Sequence, residues 1–146
     1  MHQIGLNSRI TRDGGSESGR NEAMNNQEIS VTYMWTAKPG KMEELKAIYE
    51  NVAKETEANE PGVPWMNCYE VQGADAIIIQ EVFQDGAALG MHFGQTAAQF
   101  FPGLLEIANP GPFFFCGNVP DEIVQAAAGM GLDAIFATRA FGFSRS

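Results

Sequence analysis

Positive charge is what this sequence has least of. No lysine or arginine occurs between Lys54 and Arg139, and the formal net charge is −9. Residues 1–23 hold three basic and three acidic side chains, so the excess belongs to residues 24–146, with six basic and fifteen acidic groups. Phosphate backbones and anionic lipid headgroups need cationic partners, which argues against nucleic acid, membrane surfaces and nucleotide substrates. Cysteine is scarce too. Cys68 and Cys116 are the two in the chain. With no secretory signal beside them, they read as reduced, buried small hydrophobes of a cytoplasmic protein. Neither has a basic neighbour in sequence to activate a thiolate. Histidine occurs twice, at His2 and His92, with no HxH or HExxH spacing, so no metal is expected. No apolar run approaches the roughly 20 residues of a membrane span.

The 146 residues are 45% hydrophobic, enough for one domain with a real core. Residues 1–27 are polar and rich in Gly, Ser and Asn, lack a signal-peptide apolar stretch, and are expected to be a disordered, dispensable leader. Met24 is read either as a true start or as the first residue after an appended segment. A single domain is expected over 28–146.

From Ile29 to Ala37 apolar and polar residues alternate, with Ile29, Val31, Tyr33 and Trp35 on one side, a half-buried strand. Lys38-Pro39-Gly40 breaks it. A helix follows from about Lys41 to Asn59, striped by Met42, Leu45, Ile48, Tyr49, Val52 and Thr56, and Glu60-Pro61-Gly62 stops it. The next strand, Val63 to Val71, sets Trp65, Asn67 and Tyr69 on one face and Met66, Cys68 and Glu70 on the other. Gly73-Ala74-Asp75 then turns the chain back.

The stretch Ala76–Phe101 organises the rest. Ile77, Ile78, Ile79, Val82 and Phe83 form a β-branched run expected to be covered on both faces. Glu81 interrupts it, and a carboxylate there must find a partner or raise its pKa. Asp85 stands at a helix N-cap position. Leu89, His92 and Phe93 follow at helical spacing, so the imidazole shares a face with core residues. Pro102-Gly103 marks an end or a kink, and Asn109 to Pro112 reads as a loop. Phe113 to Val119 is a fourth strand, Pro120 to about Met130 a third helix, and Leu132 to Phe141 a last edge strand.

The order β-α-β-β-α-β, followed by α-β, is α+β and ferredoxin-like: an antiparallel sheet with both main helices on one face. Strands such as Phe113–Phe115 carry apolar side chains on both faces, yet those helices cover only one. Either the third helix crosses to the open face or a second chain covers it. One short helix is too small for a whole sheet, which favours a second chain, face to face.

Two stretches resemble the antibiotic biosynthesis monooxygenase family of the dimeric α+β barrel superfamily. One is "AKPGKMEELKAIYENVAKETEANEPG", with Pro39-Gly40-Lys41 before the helix and Glu60-Pro61-Gly62 after it. The other is "IIIQEVFQDGAALGMHFGQTAAQFF", with Glu81, Phe83 and His92 at the family's Glu-x-aromatic and His positions. The tail from Pro110 is longer than the usual family ending. The resemblance implies a homodimer with a pocket between each sheet and its helices. It also implies cofactor-free oxidation by O₂ of a neutral phenolic or quinol-type molecule. There His92 would be the base, with Glu81 as second candidate catalytic group. Tyr33, Trp35, Trp65, Asn67 and Phe83 would be the substrate-binding residues, and no cofactor is expected. Haem-degrading relatives use a first-strand Asn and a late-helix His, where this chain has Tyr33 and Pro102, so haem degradation is not expected.

A blander reading stays open: a non-catalytic dimer that binds a small apolar ligand, with His92 and Glu81 serving the core or the dimer contact. Both readings require two chains. Light scattering after size exclusion should give about twice the chain mass of 15.9 kDa; a clean monomer at micromolar concentration would contradict it.

Overall fold

The computed structural model describes residues 27–145. The leader expected over 1–27 and the candidate start Met24 lie outside these residues, apart from Gln27. The elements in chain order are β1 (Ile29–Ala37), α1 (Met42–Asn59), β2 (Trp65–Glu70), β3 (Ala76–Phe83), α2 (Gly86–Met91), a π-helical segment (His92–Ala97), α3 (Ala98–Ile107), β4 (Ala108–Cys116), α4 (Asp121–Gly129) and β5 (Ala134–Ala137). They build one sheet in the order β2-β3-β1-β4-β5. The first four strands pair antiparallel, as a ferredoxin-like order requires, and β5 joins β4 in parallel through the α4 crossover. No helix among the described residues is long and apolar enough to cross a membrane.

The alternation of β1 sends Ile29, Val31, Tyr33 and Trp35 into the core beneath the helices. The α1 stripe lands where its spacing puts it, with Leu45, Tyr49, Val52 and Thr56 buried. From β3 the inner face takes Ile77, Ile79, Glu81 and Phe83, all buried. The outer face is less covered than a doubly buried strand would be, since Ile78 and Gln80 are only half-buried. Asp85 caps α2, its carboxylate accepting from the Ala88 N–H at 2.8 Å.

Four boundaries differ from the sequence reading. Asn109 to Pro112 is strand, because Asn109 and Pro110 pair with Thr36 and Trp35 across an irregularity that absorbs the awkward residues. At its other end β4 stops at Cys116, where Gly117 turns the chain at φ +131° and packs against the Glu28 backbone too closely for a side chain. With no partner strand beyond that point, β5 is also short, ending at Ala137 rather than Phe141. Helix α3 runs through Pro102 to Ile107. The cysteines carry free thiols, as expected, but both are exposed: Cys68 lies on an edge strand and Cys116 on the uncovered face.

The third helix does not cross the sheet. Ile123 of α4 joins the same core as β1 and α1, so the opposite face stays open, with Trp65, Tyr69, Phe114 and Ile135 each 41–51% exposed. The Asp85 cap ties α2, and the histidine after it, to the end of β3. Asp85→Ala should cost about 1 kcal/mol of stability, read from denaturant midpoints; an unchanged midpoint would mean the cap contributes nothing.

Candidate active site

The site starts at the end of α1. Glu60 is the C-cap of that helix, its N–H bonded to the Thr56 carbonyl. A carboxylate there faces the negative end of the helix dipole, and the last turn holds no basic residue to offset it. The offset comes from His92. The Nδ1 of His92 lies 3.0 and 3.1 Å from the two Glu60 oxygens, and the Thr96 hydroxyl donates to the same carboxylate. Glu60 and His92 are each 4% exposed, so this is a buried ion pair.

Glycine makes the approach possible. A Cβ on Gly62 would lie 2.7 Å from the Ala88 Cβ of α2, so the Glu60-Pro61-Gly62 turn can sit on that helix only with no side chain at its third position. The Gln84 N–H, bonded to the Gly62 carbonyl at 2.9 Å, pins the turn to the end of β3. His92 opens the π-helical segment and Thr96 lies within it, both buried. Such widened turns recur at functional positions in helices.

The other imidazole nitrogen faces the sheet. His92 Nε2 is 3.6 Å from Glu81 Oε1, and the Tyr33 hydroxyl donates to that same oxygen at 2.6 Å. Tyr49 in turn donates to Tyr33 at 3.4 Å. The polar groups therefore form a row in which His92, Glu81, Tyr33 and Tyr49 line a cavity between sheet and helices and Glu60 stands behind His92. Phe83 packs beside the imidazole, ring centres 5.3 Å apart.

Apart from that row the cavity wall is apolar, including Leu89, Phe113 and Phe115. Its free space is about 60 Å³, and the half-buried Phe93, Phe100 and Phe101 line its helical side. Of the candidate residues Tyr33, Trp35, Glu81 and His92 line one cavity, whereas Phe83 is buried behind the imidazole and Trp65 and Asn67 lie elsewhere. Met66 pairs with Glu81, so its neighbours on β2 point to the opposite, open face.

Burial shifts every group in the row, and charge decides the net direction. Burial alone would lower the His92 pKa, but the Glu81 charge and the hydrogen bond and charge of Glu60 outweigh it and raise it above the ordinary 6.5. Glu81 is raised above 4.5 by burial, against the pull of His92 and Tyr33. Burial would raise Glu60 as well, yet the hydrogen bonds from His92 and Thr96 and the His92 charge hold it below 4.5. Tyr33 is raised well above 10 by burial and then by the Glu81 charge, so it stays a donor. These directions favour the charged forms of Glu60 and His92 and strengthen the hold of Glu81 on a proton at the cavity wall.

Glu60 and Thr96 are the site residues the sequence reading missed. Glu60 was read only as part of a helix stop, although a carboxylate at an unbalanced helix C-terminus was the available signal. Among the described residues no group of three or more His, Cys, Asp or Glu side chains is placed to hold a metal.

Residues 29–101 match the family model described as antibiotic biosynthesis monooxygenase. The fold is similar to that of MupZ from Pseudomonas fluorescens, at 19% identity and a TM-score of 0.69 over 82% of this chain and 96% of that one. It is also similar to a conserved protein from Methanosarcina mazei, at 20% identity and a TM-score of 0.55 over 64% and 93% of the two chains. SnoaB from Streptomyces nogalater, a cofactor-independent oxygenase, is similar at 15% identity and a TM-score of 0.54 over 61% and 90%. No curated protein matches the sequence. The likeness to MupZ extends well past the residues the family model matches.

The pKa directions fix a pH dependence of stability. A raised His92 contributes fully below 6.5 and its contribution is lost as pH rises through its folded pKa. A lowered Glu60 contributes above 4.5 and is lost as pH falls through its folded pKa. Raised Glu81 adds to the alkaline loss, because above 4.5 the carboxyl ionises freely in the unfolded chain while the buried one still holds its proton, until pH passes its folded pKa. The melting temperature should peak between about pH 5 and 6 and decline toward alkaline pH, with a shallower decline in His92→Gln. A melting temperature that climbs steadily from pH 5 to 8 would contradict these directions.

Proposed function

The chain belongs to the antibiotic biosynthesis monooxygenase family, and we propose that it is a monooxygenase-type enzyme acting on a neutral phenolic or quinol-type small molecule in the cavity. The observation that carries this reading is Glu81: a buried carboxyl on an otherwise apolar wall, held by Tyr33 and facing an imidazole that Glu60 fixes. Cofactor-independent oxygenation is what the description of SnoaB names. The chemistry needs a dry site, a base and a way to balance charge. Glu81 supplies the base and His92 the charge balance, on an otherwise apolar wall.

A phenol O–H gives its proton to the Glu81 carboxylate, and the His92 imidazolium beside it balances the growing phenolate charge. The electron-rich ring then transfers an electron to O₂, the two radicals join in a new carbon–oxygen bond, and the peroxide takes the proton back from Glu81. Loss of the ring C–H proton with departure of water leaves a quinone, one oxygen atom in the product and one in water. In this scheme Glu81 carries the proton and His92 is its charge partner. Here Glu81 takes the role of base that the sequence expectation gave to His92, because the neighbouring Glu81 and Glu60 raise the His92 pKa and favour its charged form. An anionic substrate would find no cation beyond that imidazole, which favours neutral ligands.

The raised Glu81 also favours a second reading. A carboxyl kept protonated by burial is an acid, and it would donate to a substrate oxygen with no O₂ consumed. The oligomer belongs to the same proposal. A second copy laid on the open sheet face would cover Trp65, Tyr69, Phe114 and Ile135, and Trp65 and Asn67 would then serve that contact instead of the cavity.

An oxygen electrode with a panel of phenols and quinols tests the reading. Uptake should occur with at least one, and Glu81→Gln should lower kcat by about 10²–10⁴-fold with the fold intact by circular dichroism. Turnover without oxygen uptake would select the acid reading. Undiminished turnover in Glu81→Gln would remove both.

A further inference from the structure

One buried polar atom at the cavity has no part in the proton-transfer row. The Nε1 of Trp35 is buried without a hydrogen-bond partner in the protein, the one such side-chain atom among the described residues. Trp35 is 1% exposed and lines the cavity. Tyr49 is its polar neighbour, with ring centres 6.4 Å apart; the indole N–H is near enough to act on the Tyr49 hydroxyl, but that hydroxyl donates to Tyr33 and the two do not reach hydrogen-bond geometry. A buried N–H with no acceptor costs stability that a phenylalanine of similar bulk would not. Phe100, Phe101 and Phe113 show that this cavity accommodates phenylalanine readily. An indole donor left over at a ligand-sized space is explained by an acceptor arriving with the ligand.

We propose that Trp35 determines specificity by donating its indole N–H to an uncharged oxygen, such as a carbonyl, on a ligand whose opposite end meets Glu81. The placement supports two separate polar ends. Trp35 lies opposite Ile77 and Val31 lies opposite Glu81. The backbone positions of the two residues are therefore four residues apart along the sheet, about 13 Å at ~3.3 Å per residue, with the Tyr33 and Tyr49 hydroxyls bonded in sequence to Glu81 on the way. A ligand that reaches both carries a hydroxyl and an acceptor on opposite sides of a ring. This inference rests on the reading that the cavity holds the phenolic ligand, and it adds the second functional group that ligand must bear.

The test uses two probes that differ only in that group, 4-hydroxyacetophenone and 4-ethylphenol, titrated calorimetrically into the full chain at about pH 6, where both are neutral. The wild type should bind the ketone about 10-fold more tightly, the scale of one buried neutral hydrogen bond. Trp35→Phe should bring the two within about twofold of each other. Should that variant fail to fold, the wild type still answers by NMR. The Trp35 indole proton should move downfield with the ketone and not with the ethyl analogue, while exposed Trp65 stays unmoved. Equal binding of both probes by the wild type, a preference that survives Trp35→Phe, or an unmoved indole proton would each overturn the inference and leave the Glu81 chemistry standing. Binding of neither probe would overturn both this inference and the cavity as a phenol site. Retained ketone preference with undiminished turnover in Glu81→Gln would instead remove the proton-transfer reading alone.

Discussion

A carboxylate at the wrong end of a helix is the constraint around which this molecule is arranged. Glu60 closes α1 where the helix dipole disfavours negative charge, and it is buried. Only a cation held against it makes that tolerable, and His92 is that cation, 32 residues away in sequence. Satisfying the pair requires the Glu60-Pro61-Gly62 turn to sit on α2, which in turn requires glycine at 62. It also requires a helix start fixed at Asp85 and a widened turn beginning at His92. One electrostatic debt thereby sets the position of two helices over the sheet.

That same pair leaves the far side of the imidazole facing β3, where Glu81 interrupts an isoleucine run. A lone carboxyl in that strand would be a defect. Between His92 and the Tyr33 hydroxyl it is held at the wall of an apolar cavity, where the proposed reaction would use it to carry the proton. The absence of lysine and arginine from residues 55–138 has its counterpart here, because a fixed ammonium or guanidinium near Glu81 would oppose the upward shift that burial gives its carboxyl.

Much of the fold was legible because periodicity is local. The β1 alternation, the α1 stripe and the Asp85 cap all follow from neighbours within a few residues, and the element order then limited the topology to a ferredoxin-like sheet with an appended α4 and β5. Facing was harder to read. On β2 both faces carry large or apolar groups, Trp65 and Tyr69 on one and Met66 and Cys68 on the other, so a period of two cannot say which meets the core. Pairing of Met66 with Glu81 decides it, and places Trp65 and Asn67 outside the cavity. The strand character of Asn109 to Pro112 was hidden for a similar reason, since its turn-forming residues are held by Trp35 and Thr36 across the sheet. His92 and Glu81 stood out as polar groups in apolar runs. Glu60 did not, because helix ends are where charged residues are ordinarily unremarkable, and only its missing basic neighbours marked it.

The central claim is that Glu60, His92 and Glu81 form one coupled unit in which Glu81 holds the exchangeable proton. Carbon-13 NMR of labelled glutamate carboxyls, followed together with the His92 ring nitrogens across pH, tests it most directly. The account predicts that Glu81 titrates above its ordinary 4.5 and His92 above 6.5, and that Glu60→Gln shifts the His92 midpoint downward as its counter-charge is lost. A Glu81 that ionises at its ordinary value, beside a His92 whose titration ignores the loss of Glu60, would contradict it.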